Sequence, residues 1–227
     1  MKTLETDVIV VAAGPSGLAA CVAAAENGAE VICFEKASAV GGTANMGMGP
    51  FGVESRVQKR SMINIKKEDA FRELMDYVHW QADANLVHDY IWKSGDTINW
   101  LEDMGVKFAG AEKNFPASEA TWHVVQPDDG SRPGARAAST MNKVLYKRAQ
   151  ELGVKFYLST PVTKLLADEG KEIKGLIAKS EDGEEYEVYR YRNRVFTIAE
   201  MSANHRGDFG RAKELVAAAA ASGADAI

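Results

Sequence analysis

Two glycines and one acid near the start of the chain could do chemistry together. Gly14 and Gly17 sit in a turn after an apolar stretch, and Glu35 lies 18 residues beyond Gly17. A strand that turns through glycines into a helix leaves backbone N–H groups pointing at a pyrophosphate, and an acid ending the next strand accepts hydrogen bonds from ribose hydroxyls. Dinucleotide binding is the chemistry this spacing predicts. Gly14 would let the phosphates approach, and Gly17 would let the helix lie tightly on the strand. One departure stands out: Ala12 occupies the place of the fingerprint's first glycine, where a Cβ would strain the tight turn. The plain alternative is an ordinary strand-to-helix turn. Against it, four features agree: a strand before, a helix after, an acid at the right spacing and a place near the N-terminus. The turn alone does not say which dinucleotide is bound.

His123 is a tempting catalytic candidate, because an imidazole in a long loop could bind a carboxylate or shuttle protons. Nothing in the sequence supplies its partner, so a solvated side chain is the expectation. His79 and His88 fall on helices and invite the same reading. Cys21 and Cys33 lie in apolar stretches with no histidine cluster nearby, so buried, unreactive thiols are expected, with neither a disulfide framework nor a metal site.

The remaining composition narrows the class. With 227 residues, 46% hydrophobic and 26% charged, the chain has material for a sizeable core. Lys and Arg number 27 against 32 Asp and Glu, a net charge of −5 that argues against nucleic-acid binding. Leu18-Ala19-Ala20-Cys21 mimics a lipoprotein cleavage site, but Glu5 and Asp7 offset Lys2, and Gly14-Pro15-Ser16-Gly17 interrupts the apolar run. No uninterrupted apolar run is long enough for a membrane span. A cytoplasmic protein is expected.

The elements that must hold the candidate residues come next. Asp7–Val11 reads as a strand, Leu18–Asn27 as an alanine-rich helix stopped by Gly28, and Glu30–Phe34 as a second strand, a unit long enough for a parallel crossover. Gly41–Gly52 reads as a loop. Phe71, Leu74, Met75 and Val78 share one helix face, as do Leu86, Val87, Tyr90 and Ile91, followed by Ile98, Trp100 and Leu101. These large side chains are expected to be helix-packing core. Ala109–Arg136 reads as one long loop. Met141, Val144, Leu145, Ala149 and Leu152 trace a further helix. Strands are then expected at 154–158, 162–166, 173–179 and 185–188, with turns at Glu169-Gly170 and Asp182-Gly183. The basic stretch Tyr189–Arg194 marks a composition break. A strand at 195–199 and a helix at 209–222 follow, and a strand start at 224–227 leads us to expect a truncated chain.

The run Asp7–Gly17, Phe34-Glu35-Lys36, Gly41-Gly42-Thr43-Ala44, Asn99–Phe108, Glu151-Leu152-Gly153-Val154 and Gly170–Ala178 resembles, in order and spacing, the flavoprotein family of fumarate reductase and succinate dehydrogenase. The resemblance covers residues 5–188. It implies FAD as cofactor, with Gly14, Ser16 and Gly17 at the pyrophosphate, Glu35 at the ribose and Lys36 beside it. Gly42, Thr43 and Ala44 would line the flavin end, and Val162 would offer its backbone to the adenine. In such enzymes the reduced flavin gives hydride to an activated double bond of a dicarboxylate or enoate, and an Arg from a later segment supplies the proton. A small-molecule carboxylate substrate is therefore implied, and no catalytic residue is assigned in this chain.

After Val188 that family continues into a strand ending Ala-Thr-Gly-Gly, which is absent here. Instead Phe196–His205, Gly207-Asp208 and Ala219–Ile227 resemble the start of the sialic acid and pseudaminic acid synthase family. Those enzymes are (β/α)8 barrels that condense phosphoenolpyruvate with an N-acyl sugar using a divalent metal. Glu200 matches a substrate-contacting acid at the end of the first barrel strand, whereas Arg206 replaces the family's usual Asn. The fold class expected is α/β: a Rossmann-like FAD-binding domain at 1–188, incomplete, joined to a β-α unit at 189–227 like the start of a TIM barrel. Such a composite would be weakly active or inactive as an oxidoreductase, and the second part would be separable from the first unless its strand filled the vacant place in the first domain's sheet.

Overall fold

The computed structural model describes residues 1–167, 173–190, 198–199 and 210. The expected turn at Glu169-Gly170, the helix at 209–222 apart from Gly210, the strand start at 224–227, Glu200 and Arg206 lie outside the described residues. The chain divides into two compact units, Met1–Ala44 with the segment from Leu145 onward, and Asn45–Val144.

In the first unit, β1 (Lys2–Thr6) is followed by β2 (Val8–Val11), α1 (Pro15–Glu26) and β3 (Val31–Phe34). All four residues of β3 are buried, the pattern of a parallel strand covered on both faces. β2 pairs with β3 in parallel, Val11 opposite Phe34, and β3 pairs with β6 (Lys155–Tyr157) on its other edge. α1 begins three residues earlier than Leu18, because Pro15 at its first position has its φ preset and no N–H to waste. It buries Gly17, Leu18, Cys21 and Val22 and stops at Asn27, before Gly28 at φ +83°. Both cysteines are free and buried.

The later strands of this unit are β7 (Val162–Ala167), β8 (Ile173–Lys179) and β9 (Glu185–Arg190). They form an antiparallel meander, and β1 adds to β9 in parallel to give the order β1-β9-β8-β7. Ile9, Ile32 and Phe34 share one core with Leu176, Ala178, Tyr186 and Val188. The tyrosines continue it: Tyr157 stacks on Phe34 at 5.0 Å between ring centres and tilts against Tyr186 at 4.8 Å. The last described strand, β10 (Ile198–Ala199), pairs in parallel with β2, Ile198 opposite Val10 and Ala199 opposite Val11. Of the strand expected at 195–199, the described part thus fills a place in the parallel sheet, the outcome in which the tail serves the first domain's sheet.

The second unit holds α2 (Arg56–Arg60), α3 (Lys67–Tyr77), α4 (Ala84–Asp103) and the beginning of α5 (Ala138–Glu151). Val53, Ile65, Ala70 and Ile91 form its helical core. The expected apolar faces need one correction: Leu86 and Tyr90 are 71% and 51% exposed. They sit one position off the line of Ile91, Ser94, Ile98 and Leu101 that α4 buries.

Ala109–Arg136 is not one loop. It contains most of a β-hairpin, β4 (Phe108–Lys113) against β5 (Ala120–Val125). Register shifts between Phe108 and Gly110 and between Glu112 and Lys113 break the period-2 alternation, which hides the strand from a pattern reading. The stretch read as a glycine-rich loop is likewise structured. Gly42–Met46 is a 3₁₀ turn, and Met48–Gly52 runs along the free edge of β5, with His123 N–H donating to Pro50 O and Val125 N–H to Met48 O.

Candidate cofactor site

The glycine turn of the first unit is built on one residue in an unfavourable conformation. Ala12 has φ +84°, the left-handed region that glycine enters freely and alanine does not. Its N–H donates to Phe34 O at 2.7 Å, which ties the turn to the end of β3. A Cβ at position 17 would collide with Ala12 O, so only glycine lets α1 start this close to β2. Gly14 caps α1 with extended backbone and offers no side-chain acceptor. Pro15 has no N–H, and the first intrahelical bond runs from Leu18 N–H to Gly14 O at 2.8 Å. Among the described residues the amides of Ser16 and Gly17 therefore have no acceptor, and Ser16 is exposed. An uncapped helix start of this kind suits an anionic group.

Glu35 stands beside that turn. It is only 7% exposed, and its carboxylate accepts the Ala13 N–H at 2.7 Å and the Ala37 N–H at 2.8 Å, one on each oxygen. Each oxygen keeps a further lone pair for a hydroxyl donor. Parallel pairing of β2 with β3 thus brings the acid to the glycine turn, as the spacing requires. Ala13, unmarked by the sequence reading, is the hub: its N–H holds Glu35, and its carbonyl accepts the Gly41 N–H at 2.7 Å. The small residue between Ala12 and Gly14 was the only available signal.

The Gly41 bond returns the Gly42-Thr43-Ala44 segment to the same turn. Gly42 and Thr43 are exposed and Ala44 is half-buried at the start of the 3₁₀ turn. Lys36 follows Glu35 and is exposed. On the other side, Glu35 N–H donates to Tyr157 O, Thr160 N–H to Glu35 O and Ser159 N–H to Ala37 O, each at 2.9 Å. These bonds bring the chain just before Val162 alongside Glu35, and Val162 itself opens β7 opposite Ala178. The donors, the cradle that a Cβ would fill and the buried acid together fit a dinucleotide.

His123 is not solvated. It lies in the second unit, fully buried, with Nε2 2.6 Å from Ser55 Oγ and Nδ1 3.1 Å from Thr121 O. A carbonyl can only accept, so Nδ1 carries the proton and Nε2 accepts the Ser55 hydroxyl. Ser55 caps α2 and forms a capping box with Gln58, whose amide also donates to Gly52 O and Ala120 O. Burial lowers the His123 pKa, which keeps the ring neutral. The Ser55-x-x-Gln58 pattern was the available signal for this helix start. His88 packs flat on Trp92 at 3.9 Å, and His79 is exposed. Among the described residues no cluster of His, Cys, Asp or Glu could hold a metal, and no helix is long and apolar enough to cross a membrane.

The profile of the FAD binding domain family matches residues 7–226. The chain belongs to that family. Its cofactor is FAD. The match takes in residues 195–226, where the resemblance to sialic acid synthases lies; the barrel unit and the synthase chemistry find no support beside it. Vinyl phenol reductase of Lactiplantibacillus plantarum is 33% identical over 80% of this chain and 35% of its own length. NADH:fumarate oxidoreductase of Klebsiella pneumoniae is 29% identical over 87% of this chain and 21% of its own length. Among solved structures, the open conformation of a flavocytochrome c3 fumarate reductase superposes with a TM-score of 0.74 at 26% identity, covering 87% of this chain and 33% of that one. The chain therefore spans between about a fifth and about a third of the length of these relatives.

Proposed function

We propose that this chain is the flavin-binding part of a reductase of the fumarate reductase type, acting on the activated double bond of a small carboxylate. The observation that carries the reading is Glu35, buried beside an uncapped helix start and held by the Ala13 amide. The names of the relatives add the reaction class: they reduce fumarate or a vinyl phenol. In this reading Gly14, Ser16 and Gly17 receive the pyrophosphate, and Glu35 accepts the ribose hydroxyls with Lys36 beside it. Gly42, Thr43 and Ala44 flank the flavin, and the Val162 backbone meets the adenine. The bound flavin, once reduced by an electron donor, would supply hydride to the substrate. The chain's own groups bind and orient it: the helix start offsets the phosphate charge, and Glu35, fixed by two amides, selects a ribose with both hydroxyls free.

Flavin fluorescence quenching tests this reading. The chain should bind FAD and turn yellow, and Glu35→Ala should weaken binding at least tenfold, the loss of hydrogen bonds to a charged acceptor. Preferential binding of NADH would overturn it.

The boundary near residue 189 belongs to the same proposal. β9 ends at Arg190 in the meander and Ile198 pairs in the parallel sheet, so the chain changes sheets between them. Rapid proteolysis between Tyr189 and Arg194 that releases a stable N-terminal piece would support two separable parts. Protection there would mean that the tail is integral to the flavin domain.

A further inference from the structure

In the unit formed by Asn45–Val144, a cavity of about 310 Å3 opens between the turn at Pro127–Gly130 and the start of α5. Its walls carry Arg132, Arg136 and Lys143 against Asp128 and Asp129, an excess of one positive charge in a chain whose net charge is −5. Asp129 is accounted for locally. The Ser131 hydroxyl and backbone hold its carboxylate below the usual range, with nearby Lys143 adding to the effect. Among the described residues the two guanidinium groups are held in no ion pair and no side-chain hydrogen bond.

Thr140 supplies the second observation. It lines the same cavity and is 7% exposed, yet its hydroxyl makes no hydrogen bond among the described residues. A helical threonine ordinarily turns its hydroxyl back to a carbonyl in the preceding turn. The first amides of α5 are already used, Ala138 N–H on Gly47 O, Ser139 N–H on Arg136 O and Thr140 N–H on Ala137 O. Recognition in this cavity therefore falls to side chains and not to the helix end.

We propose that the cavity is a binding site for a carboxylate, held by the Arg132 and Arg136 guanidinium groups with the Thr140 hydroxyl as a further donor. Guanidinium forks match the planar carboxylate, and one negative charge balances the walls. A dianion would place surplus charge beside Asp128 and Asp129. The volume is at the lower end for small-molecule sites, enough for a carboxylate on a short carbon chain.

The test uses the full chain and two probes, propionate and inorganic phosphate, followed through the amide NMR signals of Ser139 and Thr140. Propionate should shift them saturably and more weakly as salt is raised. Arg132→Gln and Arg136→Gln should each weaken binding about tenfold, the scale of a charge-assisted hydrogen bond, without lowering Tm, since both side chains are exposed. Thr140→Val should weaken it severalfold and Thr140→Ser restore it, a pair that decides the matter even if an arginine variant folds poorly. Tighter binding of phosphate than of propionate would overturn the carboxylate assignment. A non-saturating response, or one that none of the four variants changes, would overturn the site.

Discussion

The starts of α1 and α2 solve the same problem in opposite ways. Both are helix N-termini with unsatisfied backbone donors. At α2 side chains of the protein close the helix start: Ser55 accepts the Gln58 N–H, Gln58 accepts the Ser55 N–H, Asn99 accepts the Arg56 N–H, and His123 accepts the Ser55 hydroxyl. At α1 no side chain caps the helix, and among the described residues the amides of Ser16 and Gly17 have no acceptor. A closed start contributes stability, whereas an open one leaves its partial positive charge for a ligand. The difference predicts which variants should damage folding and which should damage cofactor binding.

The largest effect should come from Gly17→Ala. Its Cβ would meet the Ala12 carbonyl, a backbone atom that cannot rotate away, so α1 must shift off β2. A cost of about 3 kcal/mol in stability is expected, at the upper end for overpacking, together with loss of FAD binding. Urea unfolding and flavin fluorescence read the two. Unimpaired FAD affinity would break the assignment of this turn as the pyrophosphate site.

His123→Ala should cost about 2 kcal/mol, from the cavity left and from the unpaired Ser55 hydroxyl, while FAD binds with unchanged affinity to the folded fraction. The same side chain predicts a pH dependence. Burial lowers its folded pKa, below the unfolded value of about 6.5, so the unfolded state takes up the proton first. The stability it contributes is complete above about pH 6.5 and is lost as pH falls from there toward the folded pKa, with a slope of at most about 1.4 kcal/mol per pH unit. Urea midpoints measured from pH 7.5 to 5 should fall in the parent chain, and this component should be missing in His123→Gln. Equal slopes in the two would refute the neutral, buried imidazole.

Legibility in the sequence divides along the same line. The β2-α1-β3 unit could be read because its signals are local: a change from strand to helix period, a glycine turn, and an acid at a fixed spacing. The limits of β8 are legible for the same reason, with the Asp182-Gly183 turn following it. In the second unit α3 and α4 are legible from their apolar faces, but the hairpin and the histidine are not. His123 is paired with a serine 68 positions away, a contact no local pattern announces. Its hairpin is masked by two irregularities in register, and the edge partner of β5 is a stretch of glycine, methionine and proline with no strand signature. Nonlocal hydrogen bonding decided those elements, and the tail strand at Ile198 likewise owes its place to β2.

The smallest effect tests the open helix start from the other direction. Ala12 at φ +84° bears strain that glycine would not. An alanine in the left-handed region costs about 1–2 kcal/mol, and Ala12→Gly removes that cost. The substitution also frees the unfolded chain, which returns about 0.4–1 kcal/mol to the unfolded state. The net gain should be about 0.5–1 kcal/mol, and for a chain of this size that corresponds to a rise in Tm of roughly 1–4 °C. The Ala12 N–H bond to Phe34 O and the carbonyl facing Gly17 are backbone features that glycine retains. FAD affinity should therefore stay constant if the turn is already in its binding geometry, and rise only if binding strains the turn further. A lower Tm would mean that the methyl group contributes packing worth more than the strain, and the Ala12 turn would then be stabilised by its side chain despite its backbone.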